Sequence, residues 1–260
     1  MSRIIGTFSR GYLLAMLLFL YTPIIVMMIM SFNKSPLYTL PFNFDLVWWE
    51  KLMANDRLLR ATWNSVWIAA LNTVIATTLG TMAALAFARY EFRGKKLLQS
   101  LLMPSLVIPW LITGTAMLIF FFWTGIGRGL HAILLGHVAL SLPYVIIVIG
   151  ARMQSFGVEL EEAATSLGAS SWQTFRRVSL PLMAPGIVAA ALFAFAVSFD
   201  QFVISYFLAP VGTSILPVEI YTSIRQGFTP EINVISTIVI LVSMAAMIGF
   251  ARLSNFSGDR

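Results

Sequence analysis

Six stretches of the chain stay apolar for about 20 residues, the length a helix needs to cross the hydrocarbon core of a bilayer. They run over 11–31, 65–87, 98–122, 130–151, 183–208 and 233–251. Such a chain is expected to be an all-α polytopic membrane protein with six transmembrane helices, forming one domain over residues 1–260. Composition agrees. Charged residues make up 11% of the 260 residues and the AVILMFWYC set 58%, with a mean hydropathy of +0.85. Soluble domains carry about 25% charged residues, and disordered chains combine low hydrophobicity with high net charge, so both classes are excluded. Cysteine is absent, which removes disulfides, thiolate nucleophiles and thiolate metal sites. The net charge of +6 is no sign of nucleic acid, because the basic residues lie between the apolar runs rather than in one patch.

Arg3 and Arg10 precede the first run, a pattern shared with signal peptides. The run exceeds the roughly 7–15 residues of a signal-peptide core and no A-x-A-like site follows it, so a retained anchor is expected. The segments after the second and fourth runs carry Arg89, Arg93, Lys95, Lys96, Arg152, Arg176 and Arg177, and Arg3, Arg10, Arg252 and Arg260 fall on the same side. Lys34, Lys51, Arg57, Arg60, Arg128 and Arg225 occupy the opposite side. Basic residues favour the cytoplasm, which places both termini inside. The outer segment 32–64 is long enough for a short helix, with Trp48, Trp49 and Leu52 either as an interfacial anchor or in a packed loop. The outer segment 209–232, with Pro217, Glu219, Tyr221 and Arg225, reads as an interfacial or re-entrant turn.

Residues 152–182 differ from the other connections. Val158 to Leu167 is rich in Ala, Leu and Glu, which favour helix, and its early glutamates suit the positive helix end. Gly168 can take the left-handed position that ends a helix. Ser170 and Gln173 have capping-box spacing for a second short helix, whose apolar side holds Trp172, Phe175 and Val178. Pro181 and Pro185 bracket entry into the fifth run. Two amphipathic helices at a membrane face need a partner for their apolar sides, either the rest of this chain or a separate soluble protein.

The order Glu162-Ala163-Ala164, three residues, Gly168, nine residues, Val178-Ser179-Leu180-Pro181 resembles the cytoplasmic loop of permease subunits in binding-protein-dependent ABC importers. The family pattern ends I-x-L-P; here Val178 replaces Ile and keeps a branched apolar contact. The resemblance implies a type I importer permease fold and a coupling helix that docks on a separate ATPase, with Glu161, Glu162, Ala163, Ala164, Gly168, Val178, Leu180 and Pro181 as coupling residues. Apart from docking, Glu162 can simply solvate a helix and Gly168 simply end it. Arg93-Gly94-Lys95-Lys96 lacks the glycine spacing and following Ser or Thr of a phosphate-binding loop, so ATP and Mg are expected on the partner. The implied partners are two ATPase copies, a second homologous permease, a soluble solute-binding protein and membrane lipid, in a bacterial inner membrane. No cofactor, metal or catalytic residue is expected on this chain.

Asp200 lies in the fifth apolar run, about 21 Å along a helix from Gly186 at about 1.5 Å per residue. Intramembrane acids are costly and usually face an interior or a path, although a structural acid bonded to a neighbouring helix is the alternative. A carboxylate beside aromatic rings suits a protonated amine through charge pairing and cation–π contact. Tyr206, Glu219 and Tyr144 are the other path candidates, each with an ordinary packing or solvated role as alternative. The stretch Asp200-Gln201-Phe202-Val203-Ile204-Ser205-Tyr206-Phe207 resembles spermidine/putrescine permeases, most of all the second of their two permeases. Leu216-Pro217-Val218, Thr229-Pro230-Glu231-Ile232-Asn233 and Ser31-Phe32-Asn33 share the likeness. That subgroup often has two adjacent acids where this chain has Asp200-Gln201. The resemblance thus implies half of a polyamine path, with an opine, Fe(III) or thiamine importer as the alternative solute class. An ion-coupled carrier and a membrane enzyme rank below these. His131 and His137 are not at the spacing of a helical metal pair, and His137 is expected to make a helix-packing hydrogen bond. Pro104, Pro109 and Pro143 can kink their helices.

Overall fold

A computed structural model describes the backbone of residues 2–258, and side chains over 10–246 and at 248 and 249. The side chains of Arg3 and Arg252, and all of Arg260, lie outside the described residues. Every regular element among the described residues is a helix, and one isolated bridge joins Asn33 and Phe44. It divides into two units, Arg60–Glu219 and the remainder on either side of it.

In the unit made of residues up to 59 and from 220 on, α1 (Ser2–Met30) and α2 (Val47–Ala54) pack on α12 (Glu231–Gly258). The Tyr38 hydroxyl donates to Asn233 Oδ1 at 2.7 Å, and the Trp48 indole N–H donates to the Asn33 carbonyl at 2.9 Å. The short helix expected in 32–64 is present, but Trp48 and Leu52 are buried in protein rather than lying at a lipid interface. Their amphipathic helix spends its apolar side on α12, and Lys51 covers the outer face of the Trp48 ring at 4.3 Å.

The larger unit holds α3 (Asp56–Arg89), α4 (Lys95–Val107), α5 (Trp110–Trp123), α6 (Leu130–Gln154), the loop helices α7 (Glu159–Ser166) and α8 (Ser171–Thr174), α9 (Leu180–Phe199) and α10 (Val203–Leu208). It also takes in the start of α11 (Leu216–Gln226). A backbone in lipid must satisfy its own hydrogen bonds, and close helix contact there comes from small residues and a few polar ties. Both devices are used. A Cβ on Gly136 of α6 would meet Ile204 of α10 at 2.8 Å, and one on Gly114 of α5 would meet Phe207 at 2.9 Å. Asn72 of α3 donates through Nδ2 to Ser141 Oγ on α6 and to the Ala194 carbonyl on α9, both at 3.1 Å.

Four helices among the described residues are long and apolar enough to cross a membrane: Arg10–Met30, Asp56–Arg89, Leu130–Gln154 and Ser171–Phe199. A fifth exists if α4 and α5 count as one span, and the apolar part of α12, Glu231–Ala246, is shorter. Two expected spans are corrected. The run 98–122 is not one straight helix, because α4 and α5 meet at a 112° bend. Pro109 has no N–H to donate and holds Ile108 extended at ψ 127°, out of the helical region. The run 183–208 begins earlier and breaks at Asp200–Phe202. Its entry contains a π-helical turn, Phe175–Ser179, closed by the Leu180 N–H on the Phe175 carbonyl. Pro181, two residues on, offers no N–H to the Arg177 carbonyl, and the wider turn accommodates that loss.

Candidate functional site: a loop at the span ends and a broken span

The loop between α6 and α9 is assembled by local rules. Leu167 caps α7, and Gly168 follows in the left-handed region at φ 87°. The Gly168 N–H reaches the Thr165 carbonyl at 2.9 Å and the Ala169 N–H the Ala164 carbonyl at 3.0 Å, which closes the helix in a Schellman motif. Ser170 Oγ accepts from the Gln173 N–H at 3.3 Å, and Gln173 Oε1 accepts from the Ser170 N–H at 2.9 Å. That capping box starts α8.

The loop has two faces. Glu162, Ala163, Gly168 and Pro181 are exposed, and Ala164 and Val178 are half-buried. Leu167 is 89% exposed and Trp172 66%, so the loop presents an apolar ridge that the chain itself does not cover. Glu161, expected as a coupling residue, is turned inward. Its Oε2 accepts from Arg89 Nε at 2.8 Å, and its Oε1 accepts from Arg89 Nη2 at 3.3 Å and from Ser179 Oγ at 2.8 Å. Adjacent residues on a helix point about 100° apart, so Glu162 stays exposed while Glu161 is turned inward. Leu180 is partly exposed at the start of α9.

The broken span revises the placement of Asp200. It is not embedded along a continuous helix; it caps the C-terminus of α9, exposed, and its carboxylate makes no hydrogen bond or ion pair with the described residues. Gln201 turns the other way and is buried. Its Oε1 accepts from the Val203 N–H at 3.1 Å and the Ile204 N–H at 3.5 Å, so it caps α10, while its Nε2 has no partner among the described residues. The break is stapled from α6. Ser205 Oγ donates to the Gln201 carbonyl at 2.8 Å, so it accepts from His137 Nε2 at 2.8 Å. His137 Nδ1 then accepts from Ser198 Oγ at 2.8 Å. One imidazole on α6 thus joins the end of α9 to α10. His137→Leu should leave the Ser198 hydroxyl unpaired and lower stability by about 1–2 kcal/mol. Thermal unfolding in detergent reads this, and a midpoint equal to the parent's contradicts the staple.

Tyr206 is 46% exposed on α10, its ring 5.5 Å from Phe202. Tyr144 on α6 is half-buried with its ring 5.2 Å from Phe193 on α9. Glu219, open to reading as solvated, is only 3% exposed. The expected turn in 209–232 contains α11, whose first N–H, that of Leu216, donates to Ser65 Oγ of α3 at 2.8 Å. That cap aims the first turn, with Ile215 and Glu219 on its buried side. The sequence gives no individual site role to Gln201, Ser198, Ser205 or Arg89. Arg89 at a span end near a glutamate-rich loop was the one available signal.

These features define a membrane-embedded helical subunit with an uncovered loop at its span ends, and known proteins share them. Residues 76–257 match the family of the binding-protein-dependent transport system inner membrane component. The spermidine/putrescine transport system permease PotC of Escherichia coli (strain K12) is 34% identical over 94% of this chain and 93% of its own. PotC of Haemophilus influenzae is 36% identical over 92% and 93%. The putrescine transport system permease PotI of Escherichia coli (strain K12) is 34% identical over 89% and 84%. In fold, a chain of a bacterial ABC transporter involved in alginate import superposes with a TM-score of 0.74 at 16% identity, over 98% of this chain and 96% of that one. A chain of the inward-facing MetNI methionine ABC transporter gives 0.62 at 21% identity, over 78% and 94%. The chain belongs to the family of binding-protein-dependent transport system inner membrane components, as an ABC importer permease with the type I fold. The ion-coupled carrier and the membrane enzyme are thereby set aside.

Proposed function

We propose that this permease forms half of the import path for polyamines of the spermidine/putrescine type. The observation that carries the reading is identity of 34–36% along nearly the whole chain to permeases named for those solutes. The chemistry of the broken span supports it. Asp200 offers an exposed carboxylate with no partner among the described residues, and Tyr206 offers an exposed ring on the helix that follows. A protonated amine gains from both charge pairing and the ring face. Glu219 and Tyr144 are the further path residues of this reading.

The remaining roles belong to partners. A second homologous permease supplies the other half of the path, and two ATPase copies bind ATP and Mg. A soluble solute-binding protein delivers the amine. Residues 1–260 act as one permease domain in the bacterial inner membrane with both termini cytoplasmic, and 152–182 serve as its cytoplasmic coupling loop. Glu162, Ala163 and Leu167 meet the ATPase, and Gly168 ends α7 sharply enough for close approach.

Uptake of labelled spermidine by the assembled importer tests the reading. Unlabelled spermidine and putrescine are expected to compete, and thiamine, opines and Fe(III) are not. Competition by one of the latter alone assigns the permease to another solute.

A further inference from the structure

We infer that Glu161, Arg89 and Ser179 form a transmission clasp, which carries movement of α7 into α3 and α9. These are positioning residues lying apart from the surface that meets the ATPase. The inference rests on the coupling reading above and adds to it the intramolecular link which that reading leaves open.

One carboxylate joins three elements. Glu161 belongs to α7, Arg89 is the last residue of α3, and Ser179 ends the π-helical turn that leads into α9. Arg89 meets the carboxylate through two nitrogens, at 2.8 and 3.3 Å, and Ser179 Oγ adds a third bond at 2.8 Å. A guanidinium fork on a carboxylate fixes direction as well as distance. The lattice extends to α6. The Arg89 guanidinium lies 5.6 Å from the Phe156 ring centre and Arg152 lies 6.0 Å from the same ring. Arg152 Nε donates to the Leu182 carbonyl at 2.9 Å, and its stem occupies the space that a Cβ on Gly186 would fill. One acid therefore ties the ends of α3 and α9 to the loop, and Arg89, Phe156 and Arg152 extend the link to α6.

Both side chains are mostly buried, with 15% and 17% of each exposed, so the pair is held in a more definite geometry than an exposed surface ion pair. A half-open cavity of ≈ 690 Å³, lined by Arg89, Glu161 and Glu162, leaves the pair room to shift. What the clasp supplies is a fixed geometry between α7 and the span ends. Glu162, one residue on, stays free for the partner.

The test uses the complete importer in proteoliposomes, with Arg89→Glu, Glu161→Arg and the double exchange. The readouts are labelled spermidine imported per ATP hydrolysed, ATP hydrolysis stimulated by the solute-binding protein, and ATPase retained on purification. The second readout ranks the variants whichever solute is carried. Each single variant is expected to keep its ATPase yet lose about tenfold in both coupled readouts. The exchange should restore at least half of the parent value, since a guanidinium at 161 can donate to a carboxylate at 89 and to the Ser179 hydroxyl. Ser179→Ala, the mildest change, should fall between parent and single variants. The clasp is overturned by single variants that couple like the parent, by an exchange that restores nothing, or by ATPase loss in the single variants. A parent that imports without its ATPase strikes at the coupling reading instead.

Discussion

Gly168→Val is expected to abolish most of the import while the permease still reaches the membrane. Gly168 sits at φ 87°, and a Cβ added there meets nothing within 4 Å among the described residues. The penalty is therefore one of backbone conformation and not of crowding within the subunit. A left-handed residue with a Cβ costs about 1–2 kcal/mol, and a β-branched one more. Valine would relax by leaving the left-handed region, which breaks the Schellman closure and redirects the chain between α7 and α8. The ridge of Leu167 and Trp172 then loses its arrangement. A cost of about 1–2 kcal/mol in the docked geometry corresponds to roughly five- to thirtyfold in ATPase retention. The effect should be graded: Gly168→Asn within about twofold of the parent, because Asn tolerates the left-handed region, Gly168→Ala intermediate and Gly168→Val lowest. Co-purification of the ATPase and import rate read the series. Parent-like values for valine contradict a docking role for this turn.

Asp200→Asn should remove most uptake of spermidine at limiting concentration and leave assembly intact. The substitution keeps shape and removes charge. Because the Asp200 carboxylate binds no described side chain, little intramolecular structure is lost with it. A charge-assisted hydrogen bond to an ammonium contributes about 1.5–3 kcal/mol, or roughly ten- to hundredfold in apparent affinity. Membrane yield and ATPase retention should stay at the parent level. Gln201→Leu is the informative contrast. It deletes the cap on the Val203 and Ile204 N–H groups, so it should destabilise the subunit rather than change its selectivity. Equal spermidine uptake by the Asp200→Asn variant and the parent would remove Asp200 from the path.

Local rules made the loop legible. The left-handed glycine at 168, the Ser170–Gln173 capping box and the helix before them each follow from a few neighbouring residues, and each is found as expected. The apolar runs located the spans because hydropathy is additive along the chain. Direction is not additive. The 112° bend at Pro109 lies inside a run whose hydropathy never falters, and a proline alone does not set the angle. The break at Asp200–Phe202 contains neither glycine nor proline. It is held by an imidazole 61 and 68 residues distant in sequence from the two serines it joins. The inward turn of Glu161 depends in the same way on Arg89, 72 residues earlier. Trp48 is open in the sequence to reading as a lipid-interface residue, and its burial rests on the Asn33 carbonyl and on the packing of α2 against α12. In each case a long-range partner decided which way a side chain faces, and a single chain of letters does not contain that pairing.

Reconstitution with and without the motor tests the central claim most directly. Proteoliposomes holding both permeases, supplied with the solute-binding protein and labelled spermidine, should import only when the ATPase chains and internal ATP are present. Cysteine introduced at Ser166 in this otherwise cysteine-free chain should cross-link to those ATPase chains in the same vesicles. Import at an equal rate from vesicles lacking the ATPase, with no cross-link formed when it is added, contradicts the account.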